Sequence, residues 1–146
     1  PLRAMVLSEF YEKWRNHPLV LDKWFRIQAV SVLPDTVQTV KRLMQDVAFD
    51  LKNPNKVYAL IGAFANANLM HFHDQSGAGY DLVLEVVLKL NALNPQVAAR
   101  IVDAFAPWRR FDAARQQKMI KALQTIQAAP NLSTNVQEIV EKCLAT

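Results

Sequence analysis

The chain has 146 residues, of which 51% are hydrophobic and 21% charged, and 17 Lys+Arg against 13 Asp+Glu leave a net charge of +4. That length makes about one domain with room for a real core, and the composition excludes a disordered chain, while Cys143, the single cysteine, excludes an internal disulfide framework. No stretch approaches the roughly 18 consecutive apolar residues of a membrane span, and the basic residues are too dispersed to form a nucleic-acid patch, so neither a membrane nor a nucleic acid is an expected partner.

With only 3 glycines, a sheet-rich fold with many tight turns is disfavoured, and the spacing predicts eight helices. The first covers about Leu2 to Asn16 and is stopped by His17-Pro18, because proline fits a first helical turn but not an interior. The second runs from Pro18 to about Val32, with Val20, Leu21, Trp24, Phe25 and Gln28 on adjacent turns. Pro34-Asp35 opens the third, where Asp35 and Gln38 have the spacing of a capping pair. Asn53-Pro54 opens the fourth, asparagine as cap and proline at the first position. Gly77-Ala78-Gly79 precedes the fifth, about Tyr80 to Leu93, and Asn94-Pro95 opens the sixth. Asp112 caps the seventh, and Ser133 or Thr134 caps the eighth, which ends near Ala145.

Short links between these helices predict antiparallel hairpins. Every second helix start is separated by roughly 33 to 44 residues, the period of tetratricopeptide, HEAT and armadillo arrays. Two segments agree in detail: Pro54 to Ala65 lies on Pro95 to Ala106 without a gap, sharing the Asn-Pro start, an apolar pair (Leu60-Ile61 on Ile101-Val102) and an Ala-Phe-Ala ending. The expected fold is all-α, about eight helices in antiparallel pairs forming a HEAT/armadillo-like superhelical array, as a single helical-repeat domain over residues 1–146. In such an array Trp14, Trp24 and Phe25 are core anchors. The chain opens at Pro1, directly on a helical pattern and without an initiator methionine or a signal peptide, which reads as a chain cut from something longer.

The common catalytic signatures are missing: no His-Glu-x-x-His, no Cys-x-x-Cys, no phosphate-cradling glycine loop and no Gly-x-Ser-x-Gly. No catalytic residue and no metal ligand is therefore expected in this chain. His71-Phe72-His73-Asp74 has a His-x-His pair, but on a helix the two rings point about 200° apart at roughly 100° per residue, and a third ligand is still needed. A loop after a helix, with one histidine packed or bonded to backbone, is the simpler reading. Trp108-Arg109-Arg110-Phe111 reads as positive charge near a helix C-terminus. On the helix from Pro95, Val97, Ala98, Ile101, Val102 and Phe105 share one side, and Gln96, Arg100 and Asp103 share the other. By spacing alone that polar side is a solvated face.

Several runs go beyond generic helix: Val20-Leu21-Asp22-Lys23-Trp24-Phe25, Asn53-Pro54-Asn55-Lys56, Leu60-Ile61-Gly62-Ala63-Phe64-Ala65, Asn94-Pro95-Gln96-Val97-Ala98, Gly77-x-Gly79-Tyr80 and Phe111-Asp112-Ala113-x-Arg115-Gln116-x-Lys118-Met119. Together they resemble the C-terminal helical domain of the bacterial aminopeptidase N family of zinc metalloaminopeptidases, over nearly the whole chain. The resemblance implies a hydrolase, a protease that removes single residues from peptide N-termini, with its zinc in an upstream catalytic domain of the same polypeptide and no cofactor in this chain; the single cysteine separately favours a reducing, cytoplasmic location. It implies a helical bowl that closes the active-site chamber and gates peptide access. It also implies that Gln96 and Arg100 face the substrate channel, Arg100 holding a peptide carboxylate or carbonyl by charge-assisted hydrogen bonds and Gln96 bonding the peptide backbone. The alternative is a free-standing helical-repeat module that binds a protein or peptide on a concave face and has no enzymatic activity.

Overall fold

The computed structural model describes residues 2–145 and is all-helical over them, with no strand among the described residues. None of its helices is long and apolar enough to cross a membrane. The elements are α1 (Leu2–Trp14), α2 (Pro18–Ala29), α3 (Thr36–Leu43), α4 (Pro54–Val57), α5 (Ala63–Ala67), α6 (Leu69–Phe72), α7 (Ala78–Leu93), α8 (Pro95–Val102), α9 (Ala113–Gln127) and α10 (Thr134–Leu144). A π-helical turn, Tyr58–Gly62, joins α4 to α5, and a 3₁₀ segment, Asp103–Arg110, continues α8. The chain divides into two compact units, Pro1–Asn68 and Leu69–Thr146.

In the first unit, α2 is the centre. It packs on α1, α3, α5 and the π turn, and its Leu21, Phe25 and Ala29 are buried, as are Val57, Leu60, Ile61 and Phe64 of the facing helix. Pro18 and Pro54 occupy first-turn positions of their helices, and Asn53 Oδ1 accepts the Asn55 N–H at 3.0 Å, so both proline-based starts form as their local chemistry requires. The boundary between α2 and α3 differs from the sequence expectation. Helix α2 stops at Ala29, and Asp35 precedes α3 without a side-chain cap bond, so no Asp35–Gln38 capping pair forms. The hydroxyl of Thr36 donates to the carbonyls of Ser31 and Leu33, which ties down the intervening loop but satisfies no orphan N–H of α3. Helix α1 buries none of its residues, and it is held partly by polar bonds: Trp24 Nε1 donates to the Leu7 carbonyl at 2.9 Å, and the Tyr11 hydroxyl donates to Asp46 at 3.1 Å.

In the second unit, α7 and α10 both pack on α8, and α9 packs on α7 and α10. The core is an aliphatic stack of Val83, Val86, Val87 and Leu90 from α7, Val97, Ala98, Ile101 and Val102 from α8, and Val136 and Val140 from α10, extended by Phe72, Phe105, Met119, Leu123 and Ile126. Three of its helix starts carry side-chain caps that the sequence announces. Asn94 accepts from Val97 N, Asp112 from Arg115 N, and Ser133, rather than Thr134, from Val136 N. Pro107 has no N–H to return to a preceding carbonyl, and its φ/ψ of −82°/22° is non-helical, which accounts for the tightening of the chain beyond α8. An Asn94→Ala variant is expected to lose about 1 kcal/mol, the usual cost of removing an N-cap, read as a lower urea midpoint with an unchanged m-value.

Candidate functional site

Helix α8 is the element on which a site is expected, and its two faces separate cleanly. The helix starts at Asn94-Pro95 because the Asn94 side chain satisfies an orphan N–H and proline needs none. Val97, Ala98, Ile101 and Val102 are then buried against α7 and α10. Gln96, Arg100 and Asp103 are all exposed, at spacings of four and three that bring them onto neighbouring turns of the other face. The wall therefore presents an amide, a guanidinium and a carboxylate to solvent from a backbone pinned by packing on its far side. Such an array can bind and orient a polar chain; it contains no nucleophile paired with a base.

The His71–Asp74 run has one packed histidine, as the sequence reading allowed, but its first two residues are helical rather than loop. His71 lies on the single helical turn α6, and His73 follows it. His73 is 7% exposed, and its ring is enclosed. Its ring stacks on Phe111 at 4.0 Å between centroids, meets the edge of Phe72 at 4.7 Å, and shares a 2.7 Å hydrogen bond between Nδ1 and the Tyr80 hydroxyl. Arg115 Nε donates to the His73 carbonyl at 2.6 Å and Arg115 NH1 to Asp112 at 2.7 Å. Burial, with the nearby Arg115 charge, pushes the His73 pKa down, and burial pushes the Tyr80 phenol up to about 12. Among the described residues no three His, Cys, Asp or Glu side chains converge in a way that could hold a metal ion.

Trp108 and Arg109 do sit at a helix C-terminus, but that of α10. Trp108 Nε1 donates to the Cys143 carbonyl at 2.8 Å, and Arg109 donates to the carbonyls of Cys143, Leu144 and Ala145. The guanidinium also lies 4.2 Å from the centre of the Trp108 ring. Positive charge is favoured at that end of the helix, so this pair is engaged in closing the unit. Cys143 is buried, and burial pushes its thiol pKa up, which removes the thiolate character that reactivity needs.

Sequence reasoning missed one long-range pair. Lys56 is 4% exposed, and its Nζ donates to Asp22 Oδ1 at 2.5 Å and to the Pro18 carbonyl at 2.6 Å. Their spacing of 34 residues carries no periodic signal. The one available hint was that both residues belong to runs that stand out from generic helix.

Three comparisons bear on this geometry. Residues 1–145 match the family described as Domain of unknown function (DUF3458_C) ARM repeats. Aminopeptidase N of Escherichia coli K12 is 41% identical over 145 residues, 99% of this chain and 17% of that protein. Aminopeptidase N of Caulobacter vibrioides is 44% identical over 142 residues, 97% of this chain and 16% of that protein. Among solved structures, the crystal structure of Legionella pneumophila aminopeptidase A in complex with aspartic acid superposes with a TM-score of 0.91 at 39% identity, covering 97% of this chain and 16% of the other. The chain thus spans about one sixth of the length of these relatives.

Proposed function

The chain belongs to the DUF3458_C ARM-repeat family, and from that premise we propose that it is the C-terminal domain of a zinc-dependent, cytoplasmic aminopeptidase N. In this reading it closes the active-site chamber and gates peptide access to an upstream catalytic domain, which removes N-terminal residues. The observation that carries the reading is the polar wall of α8, with Gln96, Arg100 and Asp103 exposed together on a helix whose other face is buried. A rigid backbone behind exposed polar groups is what a substrate-positioning surface needs, because orientation is lost when the supporting element moves. Arg100 holds a peptide carboxylate or carbonyl, and Gln96 bonds peptide backbone; neither makes or breaks a covalent bond. Among the described residues no His, Cys, Asp or Glu cluster could hold a metal ion; in this reading the upstream domain holds the zinc, and this chain is assigned no covalent step.

The upstream part of the same polypeptide is the proposed partner, alongside peptide substrates. Support comes from an apolar groove of about 580 Å³ lined by Leu2, Val6, Phe10, Trp24 and Ile27, with Leu2, Val6 and Ile27 more than half exposed. Contiguous apolar surface of this kind marks an interaction face, and the relatives carry about five sixths of their length outside the matched region. The same groove also favours the second reading, a free-standing module that docks a protein or peptide. Co-elution of this chain with the separately expressed upstream fragment supports the first; no association at micromolar concentrations supports the second.

In the full-length enzyme, Arg100→Ala is expected to raise KM for peptides about tenfold, with kcat little changed. That is the scale of one lost charge-assisted hydrogen bond at a partly solvated site. Steady-state kinetics over a series of peptide lengths checks it, and identical constants for every length would overturn the channel role.

A further inference from the structure

We propose that His73 is a proton-sensitive clasp, whose neutral ring holds the end of α6, the first turns of α7 and the start of α9 together and whose protonation releases them. The geometry concentrates on one imidazole. Its faces and edges are covered by Phe111, Phe72 and Tyr80, its Nδ1 bonds the Tyr80 hydroxyl on α7, and its own carbonyl takes the Arg115 side chain from α9. Three separate elements therefore meet at one titratable residue, and Gly79 of α7 lies so close to α6 that an added Cβ would stand 2.4 Å from the His71 carbonyl oxygen.

In this proposal the neutral ring carries its hydrogen on Nε2, so that the Tyr80 phenol, whose pKa is pushed up to about 12, donates to Nδ1 across the 2.7 Å contact. Protonation at Nδ1 converts that acceptor into a donor, so the phenol hydrogen loses its buried partner, and an unsatisfied buried polar group is costly. The new charge is also desolvated and stands beside Arg115. The remaining charged groups do not compensate. Asp112, the N-cap of α9, is paired with Arg115, Asp74 accepts from the Ser76 hydroxyl and backbone N–H, and the His71 imidazole on α6 offers no negative charge. Because the folded ring binds its proton less readily than a solvated imidazole, the clasp is fully closed above the ordinary histidine range. It weakens as pH falls below that range toward the depressed folded value.

The test uses the 146-residue chain. Histidine side-chain NMR from pH 8 to pH 4 is expected to show His73 titrating below a histidine in an unstructured peptide. Native-state hydrogen exchange, corrected for intrinsic rates, is expected to show at least tenfold lower protection at pH 5 than at pH 7 for Asp81 to Val83 and Gln116 to Met119. Protection elsewhere in the second unit changes less. The double variant His73→Phe/Tyr80→Phe removes both hydrogen-bonding partners while keeping ring volume, and in it that local protection becomes independent of pH over the same range. An ordinary titration of His73, pH-independent protection in the parent chain, or the same acid loss in the double variant would each overturn the clasp.

Discussion

Replacing Gly79 with alanine is expected to remove about 3 kcal/mol from the second unit, at the upper end of the usual cost of overpacking. The position is helical and its φ is ordinary, so the glycine is not there for backbone freedom. An added Cβ would lie 2.4 Å from the His71 carbonyl oxygen, 2.5 Å from that of Phe72 and 2.7 Å from the Phe72 Cα. All three are backbone atoms, and none can swing aside as a side chain does, so α6 and α7 would have to separate. Separation would in turn pull Tyr80 from His73. Gly77 is the instructive contrast. Its φ of 83° makes any side chain strained, but the nearest atoms to its missing Cβ belong to the flexible Lys118 side chain, so Gly77→Ala should cost about 1 kcal/mol, the scale of an unfavourable left-handed residue. Urea unfolding of both variants checks the order; a Gly79→Ala loss below that of Gly77→Ala would contradict the close-approach argument.

Lys56→Met is expected to cost the first unit about 3 kcal/mol, at the low end of the range for stranding one member of a buried ion pair. Methionine preserves most of the packing of the lysine stem. What it removes is the charge that satisfies Asp22 and the donor to the Pro18 carbonyl. The lower figure is appropriate because the Asp22 side chain keeps 20% of its exposure, so water compensates in part. The companion variant Lys56→Met/Asp22→Leu is expected to regain most of the loss, since replacing a buried pair by apolar groups is often neutral or better. If the double variant is as unstable as the single, the loss came from packing, and the ion pair is not its source. Both are read by thermal or urea unfolding of the 146-residue chain.

Much of the fold was legible because its signals are local. Asn53-Pro54, Asn94-Pro95, Asp112 and Ser133 each start a helix in the structure, since an N-cap needs only a side-chain oxygen within three residues of an orphan N–H. The apolar stripe of α8 was equally legible, and with it the exposure of Gln96, Arg100 and Asp103. Family resemblance was legible from runs such as Gly77-x-Gly79-Tyr80, and the comparisons agree with it. Asp35 shows the limit of local reading. It has the right type and spacing for a cap, yet its backbone, at φ −91° and ψ 13°, is not the extended one of Asn53, Asp112 and Ser133, and its side chain bonds no helix N–H.

The sequence by itself determined the helical class, most helix starts, the two-faced character of α8 and the family. These rest on period and capping, which act over a few residues. Tertiary structure alone decided the π turn at Tyr58–Gly62, the single turn α6, the Asp22–Lys56 pair, the meeting of His73 with Tyr80, Phe111 and Arg115, and the hold of Arg109 on the end of α10. Except for the two local helical irregularities, each joins groups from different elements. Their distances depend on how helices stack, and that is set by the summed burial of many side chains rather than by any short run of residues.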